Sequence, residues 1–166
     1  TMPAPEVLIP IMEATVGSLA GGREPVAFWL RECKRLMLLG SNKDKTDWEF
    51  AYSADIDESA NNIRTGVGTL YGFLIGYNAA TAAGDLLCIS DAAANTYDGT
   101  APVDADDTLV YNLIAAATED TEEFHAIVIL EGKYLATGLT VGADAQGGTN
   151  PATDDVRGWF LYRTAA

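Results

Sequence analysis

Residues 69–77 read TLYGFLIGY, and the period of this stretch decides the fold class. In an extended chain Leu70 and Leu74 fall on one face and Tyr71, Phe73, Ile75 and Tyr77 on the other, which predicts a β-strand. Upstream, residues 47–52 alternate polar and aromatic side chains, the pattern of a half-buried strand. Comparable runs occupy 85–90, 108–115, 123–130, 133–141 and 156–163. Seven short strands without helical patterns between them predict a mainly β fold, an antiparallel β-sandwich or jelly roll. The loops at 96–108 and 143–155 are rich in Asp and are expected on the surface.

The first 45 residues read differently. Residues 1–22 hold Pro3, Pro5 and Pro10, a Gly21-Gly22 pair and scattered apolar residues, which predicts an extended N-terminal arm. Pro25 near the start and Gly40 past the end bracket one short helix. Its apolar residues cover more than one helical face, so a strand is the alternative, and a helix here needs cover on two sides. The expected organisation is an attachment segment, residues 1–45, followed by a sandwich domain, residues 46–166. An apolar arm and a two-sided helix exceed what the sandwich alone can cover. Val7, Leu8, Ile9 and Ile11 of the arm, with Phe28, Trp29, Arg31, Arg35 and Leu36 of the helix, are therefore the candidate partner-binding residues.

Charge sharpens this division. The chain of 166 residues carries 10 Lys plus Arg against 24 Asp plus Glu, a net charge of −14. Residues 1–45 hold six of the bases and five of the acids, net +1, so residues 46–166 are net −15. Such asymmetry suggests that the two parts face different surroundings. Overall acidity opposes nucleic acid or an anionic membrane as partner, because both require clustered cations. No run of about 18 uncharged apolar residues is present, and the opening residues have no basic segment followed by an apolar one, so a soluble protein without a secretion signal is expected. At 48% apolar and 20% charged, the composition is that of one globular domain.

Candidate chemistry is sparse. His125 lies in EFHAIVIL, where Phe124, Ala126 and Val128 share one strand face and His125, Ile127 and Ile129 the other. No Ser or Cys motif accompanies it, and a core or interface position is the expected role. Gly66-Val67-Gly68 precedes a strand rather than a helix, so it reads as a turn and not as a phosphate loop. Cys33 and Cys88 sit among apolar neighbours without metal-ligand spacing and are expected to be buried thiols. The acidic groups Asp55, Asp57, Glu58; Asp104, Asp106, Asp107; and Asp144, Asp154, Asp155 match no complete calcium loop. No catalytic residue, metal or cofactor is expected.

Taken together, NIRTGVGTLYGFLIGYNA from residue 62, DLLCISDAA, TLVYNLIAA, EFHAIVILEGKYLATGLTVGADA and DVRGWFLYR resemble a β-sandwich found in virion proteins of tailed bacteriophages, capsid decoration (cement) proteins among them. The similarity rests on Arg64-Thr65-Gly66-x-Gly68-x-Leu70-x-Gly72, a strand ending in Asp91, Gly138-Leu139-Thr140-Val141 and a last strand closing on Leu161-Tyr162. It spans about 100 residues and leaves the first 45 unmatched. The resemblance implies a non-enzymatic structural protein, assembled in the host cytoplasm and fixed to the outer capsid surface. Its implied partners are the major capsid protein and neighbouring copies of itself, in a homo-oligomer such as a trimer. A tail or fibre component and a carbohydrate-binding jelly roll for host attachment are the alternatives.

Overall fold

The alternating runs pair into two four-stranded antiparallel sheets that face each other. The computed structural model describes residues 4–20, 23–54, 56, 61–77, 86–91, 108–114, 123–144 and 156–164. Its strands are β1 (Trp48–Ser53), β2 (Asn61–Thr65), β3 (Gly68–Tyr77), β4 (Leu86–Asp91), β5 (Thr108–Ile114), β6 (Glu123–Leu135), β7 (Gly138–Asp144) and β8 (Val156–Arg163). One sheet has the order β1-β8-β3-β6 and the other β2-β7-β4-β5. The expected β-sandwich is the observed architecture.

Two details of the strand reading change. The polar segment NNIRT forms β2 at a sheet edge, paired with β7; an edge strand tolerates polar side chains, so no alternation announces it. The run through 123–130 does not stop before Lys133 but continues to Leu135. Between the pairs Gly72↔Val128 and Leu70↔Lys133, four β6 residues oppose the single residue Tyr71. Gly132, at φ 76°, turns the chain within this bulge, in a region that favours glycine. The same irregularity moves Leu70 onto the face of Phe73 and Ile75, all three in the inter-sheet core, while Tyr71 joins Leu74 on the opposite face.

The inter-sheet core contains Ile56, Leu70, Phe73, Ile75, Ile89, Leu139, Val141 and Phe160, each fully buried, with Tyr162 at its margin. Two ion pairs tie the start of β1 to neighbouring strands. Arg64 of β2 donates to Glu49 of β1 at 3.2 Å, bridging the two sheets, and lies over the Tyr162 ring. Arg163 holds Asp47 through two bonds of 2.9 and 3.0 Å, the bidentate geometry that makes Arg–carboxylate pairs strong.

The N-terminal segment is not an extended arm. It forms α1 (Pro5–Thr15), the single turn α2 (Gly17–Ala20), α3 (Glu24–Leu38) and a 3₁₀ turn, Gly40–Asp44. Pro5 occupies the start of α1, where its missing N–H costs nothing. Pro10 stands inside the helix and removes one bond there. Burial of Leu8, Ile9, Met12 and Val16 offsets that loss, at roughly 1.5–3 kcal/mol for each large apolar side chain fully buried. These helices cover the outer face of the β1-β8-β3-β6 sheet, giving three layers. α3 buries most of its apolar surface within the chain: Trp29, Cys33, Leu36 and Met37 pack with Trp48, Leu74, Phe124, Trp159 and Leu161 of the sheet, while Phe28 and Leu38 stay exposed.

One contact fastens the helix to the sheet. The Trp29 indole donates to the Ile127 carbonyl at 3.2 Å. Directly beneath, a Cβ at Gly72 would lie 3.3 Å from both Cys33 Sγ and Trp29 Nε1, so this glycine lets α3 approach closely.

Candidate interaction surface

The outward faces of α1 and α3 carry the side chains on which a partner-binding role can rest. On α3, residues 28, 31 and 35 follow helical spacing and lie on one exposed face. Phe28 is 40% exposed, and the Arg31 guanidinium sits over its ring at 5.7 Å. On α1, Val7 and Ile11, four residues apart, also point to solvent. Lys34 of α3 and Glu13 of α1 pair at 3.0 Å between the two helices. Arg31 approaches Glu24 and Glu32, and Arg35 approaches Glu32, at 3.7 to 3.8 Å. Exposed pairs of this kind contribute little stability, but they leave this layer nearly neutral on a strongly acidic protein.

The nine predicted partner-binding residues therefore divide. Val7, Ile11, Phe28, Arg31 and Arg35 are exposed, whereas Leu8, Ile9, Trp29 and Leu36 are buried in the protein's own helix–sheet core. The latter four are corrected: they hold the helical layer to its sheet, because that sheet is apolar on both faces and needs a cover.

Sequence reasoning missed a second cluster. At the far end of α3, Leu39 is 61% exposed and Leu130, on the β6 bulge, is 68% exposed. Together with Glu32, Arg35 and Leu36 they line a crevice of about 140 Å³. Only the bulge turns Leu130 outward, and nothing in the alternation of EFHAIVIL signals it. Asn42 of the 3₁₀ turn supports this corner by donating to the Leu36 carbonyl at 3.0 Å and accepting from the Trp48 indole at 3.3 Å.

Two further hollows flank the helical layer. One, of about 440 Å³, lies between the start of α3 and β6 and is lined by Glu24, Pro25, Phe28, Phe124, His125, Ala126 and Ile127. The other, about 290 Å³, is lined by Thr15, Leu19, Phe50, Tyr52, Arg157 and Trp159. In it, Tyr52 stacks on Trp159 with centroids 5.0 Å apart, and Arg157 lies over the same indole at 5.4 Å.

The motif residues behind the resemblance have structural roles. Gly66 adopts φ 101° in the β2–β3 turn. A Cβ at Gly68 would come within 2.7 Å of the Arg163 carbonyl. The Asp91 carboxylate accepts the N–H groups of Ala136, Thr137 and Gly138 at 2.8, 2.8 and 3.1 Å, fixing the β6–β7 turn.

Cys33 is a buried free thiol, pushed well above its ordinary range by burial and then by neighbouring Glu32. The side chain of Cys88 lies outside the described residues, as do Asp55, Asp57, Glu58, Asp104, Asp106, Asp107, Asp154, Asp155 and the side chain of Asp144. Among the described residues, no group of three or more His, Cys, Asp or Glu is placed to hold a metal ion, and no helix is long and apolar enough to cross a membrane. A scan against protein-family models and a search of curated proteins each returned no match to this chain.

Proposed function

We propose that the chain is a non-enzymatic structural protein of a virion, a decoration protein that attaches to the outer shell and reinforces contacts between shell subunits. The observation that carries this reading is the division of the surface. An apolar, nearly neutral helical face with Val7, Ile11 and Phe28 exposed backs onto a sandwich whose residues 46–166 carry net −15. Such a face can approach another protein without opposing the main charge, while the acidic sandwich remains toward solvent. The resemblance of residues 62–163 to virion sandwiches supports the same assignment.

Attachment then stabilises by linkage. A protein that binds the intact shell but not its disrupted form contributes RT ln(1 + [L]/Kd), about 2.7 kcal/mol per site at a hundredfold excess over Kd. The test is to image particles carrying labelled copies and to compare their heat resistance with that of bare shells. Many symmetry-related copies and greater heat resistance are expected. A few copies along a tail or fibre would favour the alternative virion location, and no copies on particles would overturn the reading.

The crevice holding Tyr52 and Trp159 favours a second reading, carbohydrate attachment. It offers an exposed aromatic ring beside an arginine, the chemistry that stacks on and hydrogen-bonds a pyranose ring. Titration with N-acetylglucosamine and glucose oligomers, read by tryptophan fluorescence, separates the two readings. Saturable binding lost in Tyr52→Ala favours the sugar site, and absence of binding removes it.

A further inference from the structure

Among the described residues, no strand pairs with the outer edge of β6. This is the longest strand, Glu123–Leu135, and it ends the order β1-β8-β3-β6. One close approach fixes the direction of its backbone groups: a Cβ at Gly72 of β3 would lie 3.2 Å from the Ile127 carbonyl oxygen, so that carbonyl points to β3. Antiparallel pairing alternates, and the N–H and C=O groups of Phe124, Ala126 and Val128 therefore point away from β3. Edge strands are ordinarily blunted by charge, proline or shortness; residues 124–129, FHAIVI, contain no Asp, Glu, Lys, Arg or Pro. A hollow runs along the same edge. The space of about 440 Å³ between the start of α3 and β6 is lined by the four consecutive residues Phe124 to Ile127. Their side chains alternate between faces, so the hollow meets the edge of the strand and not one face alone. Phe28 of α3 forms its opposite wall.

We propose that β6 accepts an extended segment of another protein as an added antiparallel strand, with alternate apolar side chains entering the hollow between Phe28 and Phe124. The row of outward backbone groups selects the occupant, because only an extended polypeptide pairs with them in register. Charge selects its composition. β6 opens with Glu123, preceded in the chain by Glu119, Asp120 and Glu122. Arg23, over the Phe124 ring at 5.3 Å, offsets one of these four acids. The segment therefore carries Lys or Arg at its C-terminal end, which antiparallel pairing brings to Glu123. The inference goes beyond shell attachment and holds for whichever protein supplies the segment.

The test titrates the full chain with a capped peptide of about eight residues that alternates threonine with valine or phenylalanine and ends in two lysines. Saturable binding below about 1 mM is expected. Two further peptides are N-methylated at alternate amides, one in each phase, so that each loses the donors of one edge. One phase should weaken binding by about tenfold or more and the other should not, since only one edge of the peptide faces β6. Glutamates in place of the lysines should also weaken it by about tenfold. Hydrogen exchange at the Phe124, Ala126 and Val128 amides should slow in the complex. Ala126→Pro, which removes one outward N–H and leaves the pairing with β3, and Phe28→Ser should each weaken binding by about tenfold, with melting curves to confirm the fold. Absence of saturation, equal affinity of the two methylated peptides, equal affinity of the lysine and glutamate peptides, or unchanged exchange at the three amides would each overturn the proposal. So would a dimer that already protects those amides without peptide, because the edge would then belong to a second copy.

Discussion

The two hydrophobic cores of this protein are built from different materials. The core between the sheets is mostly aliphatic, Ile56, Leu70, Ile75, Ile89, Leu139 and Val141 around Phe73 and Phe160. The core between the helices and the sheet holds all three tryptophans, Trp29, Trp48 and Trp159, together with Met12, Met37 and Cys33. Two pleated surfaces are flat and self-similar, so branched aliphatic side chains fill the space between them. A helix laid on a sheet leaves wider, irregular gaps, and large rings or flexible Met side chains fill those. The difference teaches that the helical layer is part of the folding unit, although its sequence reads as an appendage.

The severest way to break that comparison is to remove the helices. Deletion of residues 1–38 bares Trp48, Leu74, Phe124, Trp159 and Leu161, and we expect the remainder to give no cooperative melt and to bind a hydrophobic dye. A shortened chain that still melts cooperatively, with native strand signal, would show that the sandwich stands alone.

Next in size is Trp29→Ala, expected to cost about 3–5 kcal/mol for a large buried ring. Trp29→Phe should cost less, about 1–3 kcal/mol, chiefly for the Ile127 carbonyl left without its donor. Because every tryptophan lines the helix–sheet core, intrinsic fluorescence in a denaturant titration reports that layer. It should coincide with circular dichroism if the two cores unfold as one.

Gly132→Ala tests the bulge that joins the two regions. It forces a side chain into left-handed backbone and against Thr69 and Tyr71, at a cost of about 1–3 kcal/mol. A variant as stable as the parent in urea would mean that the bulge relaxes freely.

Alkaline pH separates the cores by titration. Burial, then Glu32, raises the Cys33 thiol far above its ordinary 9.0; burial, then the hydrogen bond with Glu49, raises the Tyr162 phenol far above its ordinary 10.0. Both values are raised in the folded state, so their stabilisation is complete below the unfolded values and is lost as pH climbs. Each group contributes a decline of at most about 1.4 kcal/mol per pH unit. Denaturant midpoints should begin to fall near pH 9 and steepen near pH 10. Cys33→Ala should delay the first onset and Tyr162→Phe should remove the second, and midpoints level to pH 11 would refute the assignment.

The smallest effect belongs to the outer surface. Phe28→Ser should change stability by no more than about 0.5 kcal/mol, in contrast to Trp29 beside it, while weakening attachment to shells. A large loss of stability would move Phe28 from the contact surface into the core.

Periodicity by itself determined the sandwich. Alternation of polar and aromatic residues in 47–52, and short apolar runs rich in β-branched and aromatic residues at 69–77, 123–130 and 156–163, mark strands without coordinates. The division of EFHAIVIL into two faces also held: Phe124, Ala126 and Val128 pack in the helix–sheet core, and Ile127 and Ile129 against the inter-sheet core. Only the tertiary structure decided the fate of the first 45 residues. Pro10 argues locally against a helix, and the burial that outweighs it comes from sheet residues far along the chain, including Leu74, Phe124, Trp159 and Leu161. The exposed corner was hidden for a related reason: Leu130 reaches solvent because a bulge uncouples β6 from β3, and Leu39 becomes its neighbour only after α3 docks. Strand faces follow from local sequence; the choice between core and contact surface depends on which apolar faces meet in space.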